Sequence, residues 1–134
     1  MKTPKLLTML AALALSVGAQ AQSSAPYPNK PIKLVVGFAP GGAADHVARS
    51  MGDAFGRALG ASVVVENRAG AGSSIAAEFV AKAPADGYTV LIASPSSISV
   101  NPALNPKLGY APKDLAPVTK ITTSPLVIAA NPNL

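Results

Sequence analysis

The chain has 134 residues, 49% of them apolar, with thirteen prolines, one histidine, no cysteine and a formal net charge of +5. Disulfide stapling is excluded, and a zinc centre lacks the usual cysteine and histidine donors. The basic residues are scattered, without runs or interleaved aromatics, so a nucleic-acid stripe is unsupported, although a mild positive balance favours anionic partners.

Lys2 and Lys5 precede an apolar stretch from Leu6 to Val17. It is shorter than the about 20 residues that span a bilayer. Ala19-Gln20-Ala21 then supplies a small-x-small cleavage site, so residues 1–21 are expected to be a secretory signal. Their removal leaves nine basic and six acidic residues, a net +3. No Cys follows the cleavage site, which excludes a lipid anchor there.

Ile32–Val36 is an apolar run and reads as the first strand. From Asp45 to Leu59, Val47, Met51, Phe55 and Leu59 recur at helical spacing, and Gly60 is placed to end that helix. Ser62–Glu66 reads as a second strand. A glycine turn follows, Gly70-Ala71-Gly72, and Ser73 or Ser74 is expected to cap a helix running to about Lys82. Tyr88–Ala93 is predicted as a third strand, buried on both faces, followed by a polar loop, Ser94-Pro95-Ser96-Ser97. Beyond it prolines punctuate the chain. Asn101–Leu104 is a helical turn at most, and Ala116–Ile121 and Leu126–Ala130 read as two strands.

The order βαβαβ predicts an α/β fold, a parallel sheet flanked by helices. Ligands of such sheets bind beyond the carboxyl ends of the strands. Three loops gather there: Phe38-Ala39-Pro40-Gly41-Gly42 with Asp45, then Gly70–Ser73, then Ser94–Ser97. They offer glycine backbone with little steric cover, two helix N-termini and several hydroxyls, a composition suited to holding an anion.

Chemical transformation is less well supported. Gly70-Ala71-Gly72 matches two glycines of a dinucleotide fingerprint, but Ile75 occupies the third position and no acid lies about 20 residues on. No G-x-S-x-G elbow is present, and His46 is the one imidazole available to a serine hydrolase. The carboxylates show no paired motif. No catalytic residue, metal ligand or cofactor is therefore assigned. A small exported domain with a structural or interaction role remains the alternative to a binding protein.

Five stretches occur in order: Tyr27-Pro28-Asn29-Lys30-Pro31-Ile32; the Phe-Ala-Pro-Gly-Gly loop through Asp45; Val64-Val65-Glu66-Asn67-Arg68 with the following Gly-Ala-Gly; Ala81-Lys82-Ala83-Pro84 with Asp-Gly-Tyr-Thr; and Asn101-Pro102-Ala103-Leu104. Together they resemble the Bug-type receptors, the substrate-binding proteins of tripartite tricarboxylate transporters. The resemblance implies the N-terminal part of a type II periplasmic-binding-protein (Venus-flytrap) fold. It further implies a periplasmic monomer that binds a small carboxylate, delivers it to a membrane permease and is not an enzyme. The ligand residues it implies are Phe38, Ala39, Pro40, Gly41, Gly42, Asp45, Gly70, Ala71, Gly72, Ser73, Ser94, Ser96 and Ser97, with Phe38 as a hydrophobic wall or a plug of the core. Departures from the family pattern include Ala69 for Pro, and Ser73-Ser74 for Gly-Asn. The family is more than twice as long. Residues 22–121 would then be an incomplete first domain, and 122–134 a crossover towards a second domain absent from this chain, with binding impaired accordingly.

Overall fold

The computed structural model describes residues 26–123 and 127–133. The expected signal, residues 1–21, lies outside them, as does Leu126 of the last expected strand.

Strand β1 (Ile32–Val36) is followed by helix α1 (Ala43–Leu59) and strand β2 (Val63–Asn67). A single 3-10 turn, Ala71–Ser73, leads into helix α2 (Ser74–Ala81), and strand β3 is Thr89–Ile92. The three strands form one parallel sheet in the order β2-β1-β3. Leu34 lies between Val65 and Val90, and Val36 between Asn67 and Ile92. The β-branched residues of β1 suit this central place, and Val35 and Val36 are completely buried.

Successive residues of a strand face opposite sides, and the two helices divide the sheet accordingly. Leu34, Val36 and Ile92 pack with Ala48 of α1, joined by Val63, Val65 and Val90. Helix α1 faces β2 at Gly52, where Val63 Cγ1 lies 3.4 Å from the place of a Cβ. Gly60 ends the helix as expected, at φ +63° with its N–H bonded to Gly56 O.

The opposite face carries Lys33, Val35 and Glu66 under α2. Phe79 of α2 lies 3.6 Å from the Arg68 guanidinium and 5.3 Å from Lys33 Nζ, measured to its ring centroid. Glu66 bridges both cations, at 2.8 Å to Lys33 and 2.6 Å to Arg68. The two cations thus stack on the aromatic ring while one carboxylate neutralises them. Lys33 first, then Arg68, holds the Glu66 carboxyl below its usual range.

Three expectations need correction. Ala116–Ile121 forms no strand, nor do the described residues of Leu126–Ala130. Val118 and Val127 are instead almost fully exposed. Apolar β-formers become a strand only against a partner, and these residues have none among the described ones. The segment after Pro95 is not a loop: Ser96–Val100 is a wide π-helical turn that continues into α3 (Asn101–Leu104). Strand β3 is less covered than expected, since Thr89, Val90 and Leu91 are half-buried and Ile92 alone is fully buried. No helix among the described residues is long and apolar enough to cross a membrane.

Candidate functional site

A parallel order of β2-β1-β3 sends successive crossovers to opposite faces. The carboxyl ends of β1 and β3 therefore send their following segments apart, the kind of position at which such sheets bind ligands. The three segments singled out in the sequence, beginning at Phe38, Gly70 and Ser94, each follow within three residues of a strand end, Val36, Asn67 and Ile92, on this edge. The topology thus gathers them at one end of the sheet.

The first loop is held by a single carboxylate. Asp45, 3% exposed in the first turn of α1, accepts hydrogen bonds from Gly41 N–H and Arg49 Nε, each at 2.9 Å to Oδ2. Its other oxygen accepts from Asn67 Nδ2 at 2.9 Å. Asn67 Nδ2 also donates to Phe38 O at 3.1 Å, and Arg49 Nη2 donates to Asn67 Oδ1 at 3.3 Å. Loop, helix and the last residue of β2 are tied at one point. The Arg49 guanidinium, the Gly41 amide and the Asn67 amide, in that order, hold the Asp45 carboxyl far below the usual carboxylate range. Asp45 therefore stands behind the loop as its anchor, with its acceptors engaged.

What this anchoring leaves available is backbone. No hydrogen bond among the described residues uses the amide N–H of Phe38 or Ala39, while that of Gly42 closes the turn through Pro40 and Gly41. Gly41 takes φ +82°, and nothing stands within 4 Å of its missing Cβ. Phe38 is 38% exposed, so its ring forms part of the surface of the edge and does not plug the core.

The second loop is backbone in unusual conformations. Gly70, Ala71, Gly72 and Ser73 all have positive φ, at 134°, 46°, 59° and 72°. The expected serine cap is not formed: neither Ser73 nor Ser74 makes a side-chain cap to the start of α2. A residue at φ 72° has left the extended conformation from which a cap side chain reaches back to the first turn. Asn101 supports the loop from below, its Nδ2 lying 3.1 Å from Ala71 O, 3.0 Å from Gly72 O and 2.7 Å from Ser74 Oγ.

In the third segment the serines divide. Ser97 is completely buried, and its Oγ donates to Ser94 O at 3.0 Å and accepts from Ser94 N–H at 3.2 Å. Its carbonyl accepts from the hydroxyl of Tyr110, itself buried. Ser97 thus closes the turn after β3, while Ser94 and Ser96 are half-buried at its surface. His46 is exposed on α1, and no hydrogen bond among the described residues joins it to a serine hydroxyl. An open depression lined by Pro28, Lys30, Pro31 and residues 60–62 lies at the opposite, amino edge, where Ile32 N–H meets Ser62 O, away from the three loops.

Four residues that organise the edge were not singled out from the sequence: Arg49, Asn67, Asn101 and Tyr110. The spacing of four between Asp45 and Arg49 on a helix was the one available signal for Arg49. Asn67 lay at a strand end inside a quoted stretch. Asn101 also lay in a quoted stretch, but it acts over 27 to 30 residues of separation, and Tyr110, acting over 13, left no local signal.

Comparison with known proteins adds a family. The model of the tripartite tricarboxylate transporter family receptor matches residues 47–134. Protein BugT of Bordetella pertussis is 40% identical over 137 aligned positions, which take in 100% of this chain and 42% of BugT. Among solved structures, the periplasmic binding protein BugD is 44% identical with a TM-score of 0.61, covering 64% of this chain and 28% of BugD. MatC from Rhodopseudomonas palustris, solved with bound malate, is 38% identical with a TM-score of 0.60, covering 64% of this chain and 29% of MatC. The chain thus spans about two-fifths of the length of such curated relatives.

Proposed function

The chain belongs to the tripartite tricarboxylate transporter receptor family, and from that premise we propose that it supplies one lip of a periplasmic receptor for a small carboxylate. The observation that carries this reading is the first loop. Two of its amides, those of Phe38 and Ala39, lack acceptors among the described residues, while Asp45 fixes the loop from behind. A carboxylate needs several converging N–H donors, and the N-termini of α1 and α2 add favourable partial charge at the same edge. The malate bound to MatC supports the ligand class. Ser94 and Ser96 complete the rim, and Phe38 forms its apolar wall. Asp45 and Ser97 serve as supports of the loops that carry the donors. The family's role as a transport receptor supports binding without catalysis, and delivery to a membrane permease.

Residues 22–121 form the first lobe in this reading, and 122–134 lead towards a second. The nearly complete exposure of Val127 and Ile128 supports that assignment. A single lip binds more weakly than a closed cleft, because closure removes the ligand from water and adds the opposing contacts.

Weak binding calls for a residue-resolved measurement. Malate and other small di- and tricarboxylates titrated into the isotope-labelled chain to millimolar concentration should shift the amide resonances of Phe38, Ala39, Gly41, Gly42, Ser94 and Ser96 and of residues 70–74. Shifts confined to the amino edge around Lys30 and Ser62, or no saturable shift with any of these acids, would defeat the proposal.

A further inference from the structure

Asn67, the last residue of β2, has its whole side-chain amide engaged. Nδ2 donates to Phe38 O at 3.1 Å and to Asp45 Oδ1 at 2.9 Å, and Oδ1 accepts from Arg49 Nη2 at 3.3 Å. Two acceptors at one end and a guanidinium at the other fix which way the amide points. Asp45 works beside it, accepting from Gly41 N–H at 2.9 Å. One side chain thus grips a carbonyl of the first loop, and its neighbour grips an amide.

What the loop shows on its other side follows from the planarity of the peptide group. Tyr27-Pro28 is the one cis bond among the described residues, so the Phe38–Ala39 and Pro40–Gly41 peptides are trans. A trans peptide points its C=O and its N–H in opposite directions. With Phe38 O turned to Asn67, Ala39 N–H faces away from the network. With Gly41 N–H turned to Asp45, Pro40 O faces away as well. Neither group has a hydrogen-bond partner among the described residues, and Ala39 and Pro40 are both exposed. Pro40 brings no N–H of its own. The lip therefore presents one donor and, next to it, one acceptor.

We infer that Asn67 is the positioning residue of this lip, and that the Ala39 N–H and Pro40 C=O held beside each other select carboxylates that carry a hydroxyl or ammonium group next to the carboxylate. The inference rests on the receptor reading above and deepens it, from a ligand class to a choice within that class. Ala39 N–H donates to a carboxylate oxygen, and Pro40 O accepts from the neighbouring hydroxyl or ammonium. An acid without that group strips water from Pro40 O and returns no donor to it. Loss of the Asn67 amide lets the Phe38–Ala39 peptide turn, and the donor that seats the carboxylate beside Pro40 turns with it.

The test compares malate with succinate, which differ by one hydroxyl, on the full chain and on its Asn67→Ala and Asn67→Ser variants. Affinities are read from amide shifts, and folding from the thermal midpoint. Wild type should bind malate about three- to tenfold more tightly than succinate, the worth of one hydrogen bond. Either variant should bind the two acids within about twofold of each other. A substitution that only weakened the fold would lower both affinities together, so a variant that keeps the wild-type ratio overturns the role of Asn67. A wild-type chain that binds both acids with equal affinity overturns the inference without any variant, and leaves the receptor reading intact. A wild-type chain whose edge amides respond to neither acid overturns the two together.

Discussion

At the scale of single residues, the chain places three of its acids where cations and amides hold them ionised. Asp45 answers to Arg49, Gly41 and Asn67, and Glu66 to Lys33 and Arg68. Asp86 answers to Lys30 and the Tyr88 amide. All three carboxyls are depressed in the folded chain relative to unfolded values of about 3.9 for Asp and 4.3 for Glu. Above those values both states are ionised and the stabilisation is complete. Below them the unfolded chain takes up protons that the folded chain refuses, so stability falls with falling pH. The thermal midpoint should thus be flat from pH 7 to about 5 and decline steadily below about 4.5. A midpoint that holds or rises down to pH 3 would show that these acids do not stabilise the fold. The sequence singled out Asp45 together with the first loop, whose Gly41 amide it accepts from. It did not disclose Asn67, whose side chain closes the same network across 22 residues.

At the scale of elements, α1 carries two glycines with opposite surroundings. A Cβ on Gly52 would meet Val63 Cγ1 at 3.4 Å, an ordinary contact, whereas one on Gly56 would stand 2.9 Å from Ala61 O. Alanine restricts the unfolded chain and favours the helix. Gly52→Ala should therefore stabilise the chain by about 0.5–1 kcal/mol in chemical denaturation. Gly56→Ala should lose that gain to the backbone oxygen it meets. Equal effects of the two substitutions would disprove this account of how α1 seats on β2. Elements with strong periodic signals were legible: β1 and α1 came from apolar spacing, and Gly60 from its place at a helix end. Elements decided by neighbours were not. Ala116–Ile121 has the composition of a strand but no sheet edge beside it. Ser96–Val100 has the composition of a loop but winds on into Asn101, which buttresses the second loop.

At the scale of the whole molecule, the sheet and its two helices hold the edge, while the last described residues touch little. Val127 is 83% exposed and Ile128 fully so. Substituting both by serine should change unfolding stability by no more than about 0.5 kcal/mol, as for surface positions in general, and a larger loss would reveal packing by this segment. The parallel order was legible from the alternation of strand and helix, and with it the edge where the loops gather. The positive φ of Ala71 and Ser73 was not, since neither residue type signals it. The Asp45 network has one more consequence. It ties the first loop to α1 and β2 before any ligand arrives, so capture requires no ordering of that loop. Its observed association rate should then rise in proportion to ligand concentration, as in a diffusional encounter with a ready-made surface, without the plateau that a slow conformational step imposes.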